Sequence, residues 1–169
     1  MTLTIRPSTT ADTEAITEIY NHAVQHTTAI WNETLVDAQN RRDWLAERQT
    51  AGFPVFVSVT EDDAVTGYAT YGPWRPHEGY RHTIEHSVYV HPDHHRKGIG
   101  KQLMLRILDQ AKADGHHIMI AGIDAQNAGS IRLHEELGFE ASPPLPEVGT
   151  KFGRWLDLVF MWKKLSGSD

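Results

Sequence analysis

The segment from Thr83 to Asp114 constrains the fold more than any other part of this chain. It begins with an alternating run, Ile84-Glu85-His86-Ser87-Val88-Tyr89-Val90, that reads as a strand. A short basic loop, His94-His95-Arg96-Lys97-Gly98-Ile99-Gly100-Lys101, follows. Leu103, Met104, Ile107, Leu108 and Ala111 then recur at helical spacing. A strand, a glycine loop and a helix start together make an anion cradle. The first N–H groups of a helix have no partners within it, and the helix dipole favours negative charge there. Gly98 and Gly100 remove side chains that would hold a phosphate off the backbone, while Arg96, Lys97 and Lys101 add positive charge. The glycine spacing matches neither the dinucleotide fingerprint nor the nucleotide-triphosphate loop. Taken alone, the loop is equally compatible with a tight connection carrying a solvated charge cluster.

Net charge sets the partner class. The chain carries −6 with histidines neutral, which argues against a nucleic-acid groove and makes the basic loop a local feature suited to a small polyanion. There are no cysteines, so a disulfide framework and a cysteine nucleophile are excluded. No apolar run approaches the length of a bilayer span and no secretory leader is legible, so a cytoplasmic protein without membrane partners is expected. The 169 residues suit one domain over 1–169, with a disordered tail at 166–169. Eleven histidines invite a metal reading, but they lack carboxylate partners at ligand spacing, and no metal site is expected.

The rest of the chain reads as alternating strands and helices. Leu3–Arg6 is a first strand, followed by a helix capped at Thr9 or Thr10 with Ile16, Ile19, Tyr20 and Ala23 inward. Asp37 caps a second helix carrying Trp44 and Leu45. Val55–Val59 and Val65–Tyr71 form a hairpin, and 72–81 is a loop. After the helix at 99–114, Ile118–Ile123 is a strand, 127–137 a helix and Phe139 the start of an extended piece. Pro143, Pro144 and Pro146 mark a loop before a final strand at 155–162. This order predicts an α/β (α+β) fold with a mixed sheet flanked by helices.

The loop His95-Arg96-Lys97-Gly98-Ile99-Gly100 resembles the pyrophosphate loop of the GCN5-related N-acetyltransferases, with His95 where that family has Gln or Arg. Asn127 followed by Leu137-Gly138-Phe139 is similar to a second block of the same family, in the right order. Longer words resemble its phosphinothricin and methionine sulfoximine subfamily: Thr28-Ala29-Ile30-Trp31-Asn32-Glu33, Trp74-Arg75-Pro76, 85–90 and Lys151-Phe152-Gly153-Arg154-Trp155-Leu156-Asp157. The resemblance covers about residues 3–165. It implies a mostly antiparallel central sheet and acetyl-CoA as co-substrate. The reaction it implies is direct acetyl transfer to the α-amino group of a small amino acid or analogue. A homodimer, with Lys151–Gly153 reaching a neighbour's site, is also implied.

Several site residues follow from that resemblance. Glu85 is the implied base, because an ammonium must lose its proton before it can attack. Partial burial is expected to raise its pKa; an ion pair with Arg81 or His82 is the structural alternative. Backbone of Val88, Tyr89 and Val90 would pair with the pantetheine arm, with an N–H near Val88 stabilising the oxyanion. His134 stands where relatives carry an acid, and Asn127 would bond the cofactor or cap its helix. Arg96 through Lys101 would hold the phosphates. A carboxylate-bearing acceptor wants a guanidinium fork, for which Arg75 is the first choice, with Pro76 and His77 beside it. Trp31, His86 and Ser87 complete the substrate-side candidates. A non-catalytic acyl-CoA sensor, and an enzyme acting on polyamines or protein N-termini, stand as alternatives.

Overall fold

The computed structural model describes residues 2–165; the tail at 166–169 lies outside the described residues. The strands are β1 Thr4–Pro7, β2 Val55–Val59, β3 Val65–Pro73, β4 Thr83–Val90, β5 Ile118–Asp124, β6 Glu140–Ala141, β7 Leu145–Lys151 and β8 Arg154–Lys164. The helices are α1 Thr13–His26, α2 Ala38–Thr50, α3 Ile99–Ala113 and α4 Ala128–Glu136. The strands form one eight-stranded sheet in the order β1-β2-β3-β4-β5-β8-β6, with β7 also on β8. Every pairing but one is antiparallel; β4 and β5 run parallel. The expected mixed, mostly antiparallel sheet is therefore the one observed.

Helices cover both faces. On one face Ile16 and Ile19 of α1 and Leu45 of α2 pack on Val57, Val59 and Tyr68. On the other, Leu103, Met104, Ile107 and Ala111 of α3 pack on Ile84, Met119, Ala121 and Met161. Burying each of the valines, leucines, isoleucines and methionines among these contributes about 1.5–3 kcal/mol, so both helix layers hold the sheet in place. Asp37 caps α2 by accepting from Asn40 N at 2.8 Å, and Asn127 caps α4 by accepting from Ser130 N at 3.1 Å. Each bond satisfies a donor that the helix itself leaves open.

The proline-marked loop needs correction. It is shorter than expected, because Leu145–Lys151 forms β7 and pairs with β8. Pro146 is tolerated there because β7 lies off the main path of the sheet, where a missing N–H breaks no inner ladder, and its register is irregular between Leu145 and Gly149. Phe152 and Gly153, with φ of 54° and 72°, make the two-residue turn into β8.

Candidate active site

The site is made by two strands that part. Strands β4 and β5 pair only from Thr83–Glu85 to Ile118–Ile120. Beyond that, β5 stays on β8 as far as Asp124, while β4 stays on β3 as far as Val90. The split opens a cavity of about 870 Å³ lined by Glu85 through Val90, Ala121 through Asp124, Gly100 and His134. The antiparallel ladder decides which backbone groups face it. Trp74 N donates to Thr83 O, and His91 N donates to Thr66 O. Given the register, Glu85, Ser87 and Tyr89 therefore spend their backbone groups on β3, while those of Val88 and Val90 point into the split. The Val90 carbonyl accepts from His95 Nε2 at 2.9 Å. Tyr89 thus belongs to the cavity through its ring rather than its backbone.

Below the split, α3 starts at Gly98, whose φ of 75° lies in the left-handed region. A side chain there would cost about 1–2 kcal/mol. At Gly100 an added methyl would meet only Val90 Cγ2, at 3.7 Å. Ile99 is fully buried, so only its backbone is available to a ligand. Arg96, Lys97 and Lys101 are exposed around this helix start, with Lys101 Nζ 3.8 Å from Glu136 Oε2. A free strand edge leading to unsatisfied helix N–H groups fits an extended chain that ends in phosphates.

Glu85 opens into the cavity, with its Oε2 3.9 Å from where a side chain on Gly122 would begin. It is accessible to solvent, but the protein crowded around the cavity costs its carboxylate hydration. That desolvation pushes its pKa up, and the charges of Arg75 and then Arg48 pull it back. The expected rise is borne out in direction, and the charged neighbours are these arginines rather than Arg81 or His82. Arg75 is exposed and lies over the Trp74 ring at 4.7 Å, with Pro76 and His77 exposed beyond it.

The other face of β4 differs. His86 and His134 are both buried, with their Nε2 atoms 2.9 Å apart. His134 Nδ1 lies 2.7 Å from Ser130 O, which can only accept, so the hydrogen sits on Nδ1. In neutral His134, Nε2 is then an acceptor and His86 donates to it. Burial lowers both pKa values, which keeps the pair neutral. His86 Nδ1 is buried without a partner among the described residues. His134 lines the cavity as expected, but in this tautomer it has no hydrogen to give there.

Two further expectations change. Trp31 is not a cavity wall: its indole donates to Thr28 O at 2.9 Å, and its ring fills the side-chain space of Gly149 in β7. Lys151 does not reach outward. It is buried, and Nζ donates to the carbonyls of Thr27 and Ile30 at 2.7 and 2.5 Å. Together with the Thr28–Asp124 bond of 2.5 Å, these contacts pin the loop after α1, whose Thr27–Ala29 edge lines the cavity. Arg154, Asp124 and Gln126 also line it and were not singled out from the sequence.

A site of this shape can hold an extended anionic thioester along a strand and pass its acyl group to an amine, which defines an N-acyltransferase. The chain belongs to the acetyltransferase (GNAT) family, whose model matches residues 16–139. It is 56% identical, over 96% of its length and 95% of the relative's, to an L-methionine sulfoximine/L-methionine sulfone acetyltransferase of Salmonella typhimurium. A solved acetyltransferase from Salmonella typhimurium with its cofactor acetyl-CoA superposes with a TM-score of 0.95 at 54% identity, covering 100% of this chain and 97% of that one. A phosphinothricin acetyltransferase from Sinorhizobium meliloti in complex with acetyl-CoA gives 0.94 at 37% identity, covering 98% and 89%. Among the described residues no helix is long and apolar enough to cross a membrane.

Proposed function

We propose that this acetyltransferase moves the acetyl group of acetyl-CoA to the α-amino group of methionine sulfoximine, methionine sulfone or a phosphinothricin-like amino acid, by direct attack in a ternary complex. The observation that carries the reading is the parting of β4 from β5, with a free strand edge inside it and the Glu85 carboxylate at its fork. Bound acetyl-CoA supplies an electrophilic thioester carbonyl. Val88 through its N–H and carbonyl, and Val90 through its N–H, hold the pantetheine arm with groups that β3 leaves free, and Asn127 stands beside it while capping α4. The amides at Gly98–Gly100, with Arg96, Lys97 and Lys101 near them, take the pyrophosphate.

The Glu85 carboxylate accepts the ammonium proton, so the amine lone pair is free to bond the acetyl carbon as the C–S bond breaks. The Val88 N–H meets the negative charge that develops on the acetyl oxygen. Arg75 takes the acceptor's carboxylate, with Pro76, His77 and Ser87 on the acceptor side. Two arginines near Glu85 oppose polyamine acceptors. His134 forms a fixed neutral wall with His86; as the amide forms, the nitrogen sheds its second proton to solvent, and the sulfur leaves as a thiolate that takes up a proton from solvent in turn. The reading extends to a cytoplasmic homodimer. Val148, Phe152 and Trp155 of β7–β8 are exposed apolar side chains that a second copy would cover, which light scattering tests.

The activity is tested by thiol release from acetyl-CoA against a panel of amino acids, polyamines and peptides. Turnover with the sulfoximine, sulfone or phosphinothricin and not with polyamines is the expected result. No turnover with any amino acid would remove the reading.

A further inference from the structure

We propose that Arg48 of α2 is a positioning residue for the transfer. Its guanidinium fills the side-chain gap at Gly72 and stands as a fixed positive charge beside Glu85, an inference that rests on reading Glu85 as the proton acceptor.

A methyl group built at Gly72 would lie 2.1 Å from Arg48 Nη1, 2.8 Å from Cζ and 3.2 Å from Nη2. The guanidinium therefore occupies the volume that a side chain at 72 would need. Gly72 lies directly opposite Glu85 in the β3–β4 register. Directly opposed residues send their side chains to the same face, with Cβ atoms about 4.5–5.5 Å apart. Arg48 thus supplies from a helix the cross-strand neighbour that the glycine lacks.

One feature sets this cation apart from an ordinary surface arginine. Nη1 is buried and has no hydrogen-bond partner among the described residues. Leaving such a group unpaired is costly, so its place is better explained by the charge it holds there than by packing. A guanidinium also keeps its charge in a protein, whereas an ammonium in the same place could lose its proton.

The charged and titratable groups around Glu85 are Arg75 from the loop after β3, Arg48 from α2 and Tyr89 on its own strand. Arg41 adds to the positive field at Arg48, and both guanidinium groups lie over the Trp44 ring, at 4.8 and 5.7 Å. Arg75 is exposed and would be engaged by an acceptor carboxylate. Arg48 is wedged and stays. The crowding that pushes the Glu85 pKa up is opposed by Arg48 before any acceptor arrives, which keeps the carboxylate ionised and ready to take a proton.

The test is the pH profile of kcat/KM for the acceptor in the wild type and in Arg48→Met, Arg48→Lys and Gly72→Ala, with circular dichroism to check folding. Arg48→Met is expected to move the acid limb up by about one pH unit, the order of effect for one charge at this range. Arg48→Lys, which keeps a positive charge in the acid range, should return the limb most of the way to the wild-type pH. Gly72→Ala should move the limb the same way, because its methyl can displace only the end of a flexible side chain. A folded Arg48→Met whose limb stays at the wild-type pH would overturn the proposal; if that variant does not fold, Gly72→Ala decides in the same way. Glu85→Gln separates the two levels. If it is inactive while the Arg48 and Gly72 variants keep the wild-type limb, only the role of Arg48 fails. If it turns over like the wild type, the reading of Glu85 fails as well.

Discussion

The two faces of β4 carry opposite kinds of chemistry one peptide apart. Glu85 opens into the cavity, between crowding that raises its pKa and two arginines that lower it. His86, on the next residue and the other face, also borders the cavity but is buried against His134 in a neutral pair. The pleat alone separates them, since successive side chains of a strand point to opposite faces. One strand can therefore hold the proposed proton acceptor beside a group that stays neutral. The lesson is that chemical type is a poor guide to role here. Histidine is the usual proton carrier near neutrality, yet in the proposed reaction the carboxylate titrates and the paired histidines stay neutral.

The largest effect is expected at Glu85. Glu85→Gln should lower kcat by roughly 10²–10⁴-fold, the usual span for a lost general base, as read by thiol release. Wild-type activity should rise with pH through the raised pKa of Glu85, because only the ionised carboxylate takes a proton. A next effect in size is expected from Arg75→Ala, which should raise KM for carboxylate acceptors by about 10–100-fold, the worth of a hydrogen bond to a charged group, with little change in kcat. An unchanged KM would move the carboxylate clamp to another residue.

On the other face the loss should be in stability. His134→Gln should cost about 1–3 kcal/mol in denaturant melts by leaving His86 unpaired, with a far smaller change in kcat than Glu85→Gln. A loss of turnover as large as that of Glu85→Gln would return His134 to the role of acid. The smallest effect is in pH dependence. Both histidines have lowered pKa values in the fold, whereas the unfolded chain takes up their protons below about pH 6.5. Their contribution to stability is therefore whole above that pH and lost as the pH falls. His86→Gln should flatten that decline in thermal melts, and an unchanged slope would mean the pair does not resist protonation.

Much of the fold was legible because it is local. The alternation at 83–90, the helical spacing at 99–113 and the caps at Asp37 and Asn127 all rest on neighbours within a few residues. What the sequence hid is set by contacts between distant segments. His86 and His134 are 48 positions apart, and no period links them. Arg48 lies on a mostly polar helix and reads as surface until Gly72 is seen beneath it. Lys151 is hidden for the same reason, since a lysine in a turn-flanking strand gives no sign that two carbonyls from the loop after α1 close over it. The parting of β4 from β5 is equally invisible, because a strand's period does not record where its partner leaves it.

We propose that β4 works from two sides, holding acetyl-CoA by its edge and the proton acceptor on its face. Calorimetric titration of Glu85→Gln with acetyl-CoA tests that division directly. Wild-type affinity is expected in a variant that has lost turnover, and weakened binding in Gly98→Val. A Glu85→Gln protein that no longer binds, or a wild type that releases no heat with acetyl-CoA, would contradict that division.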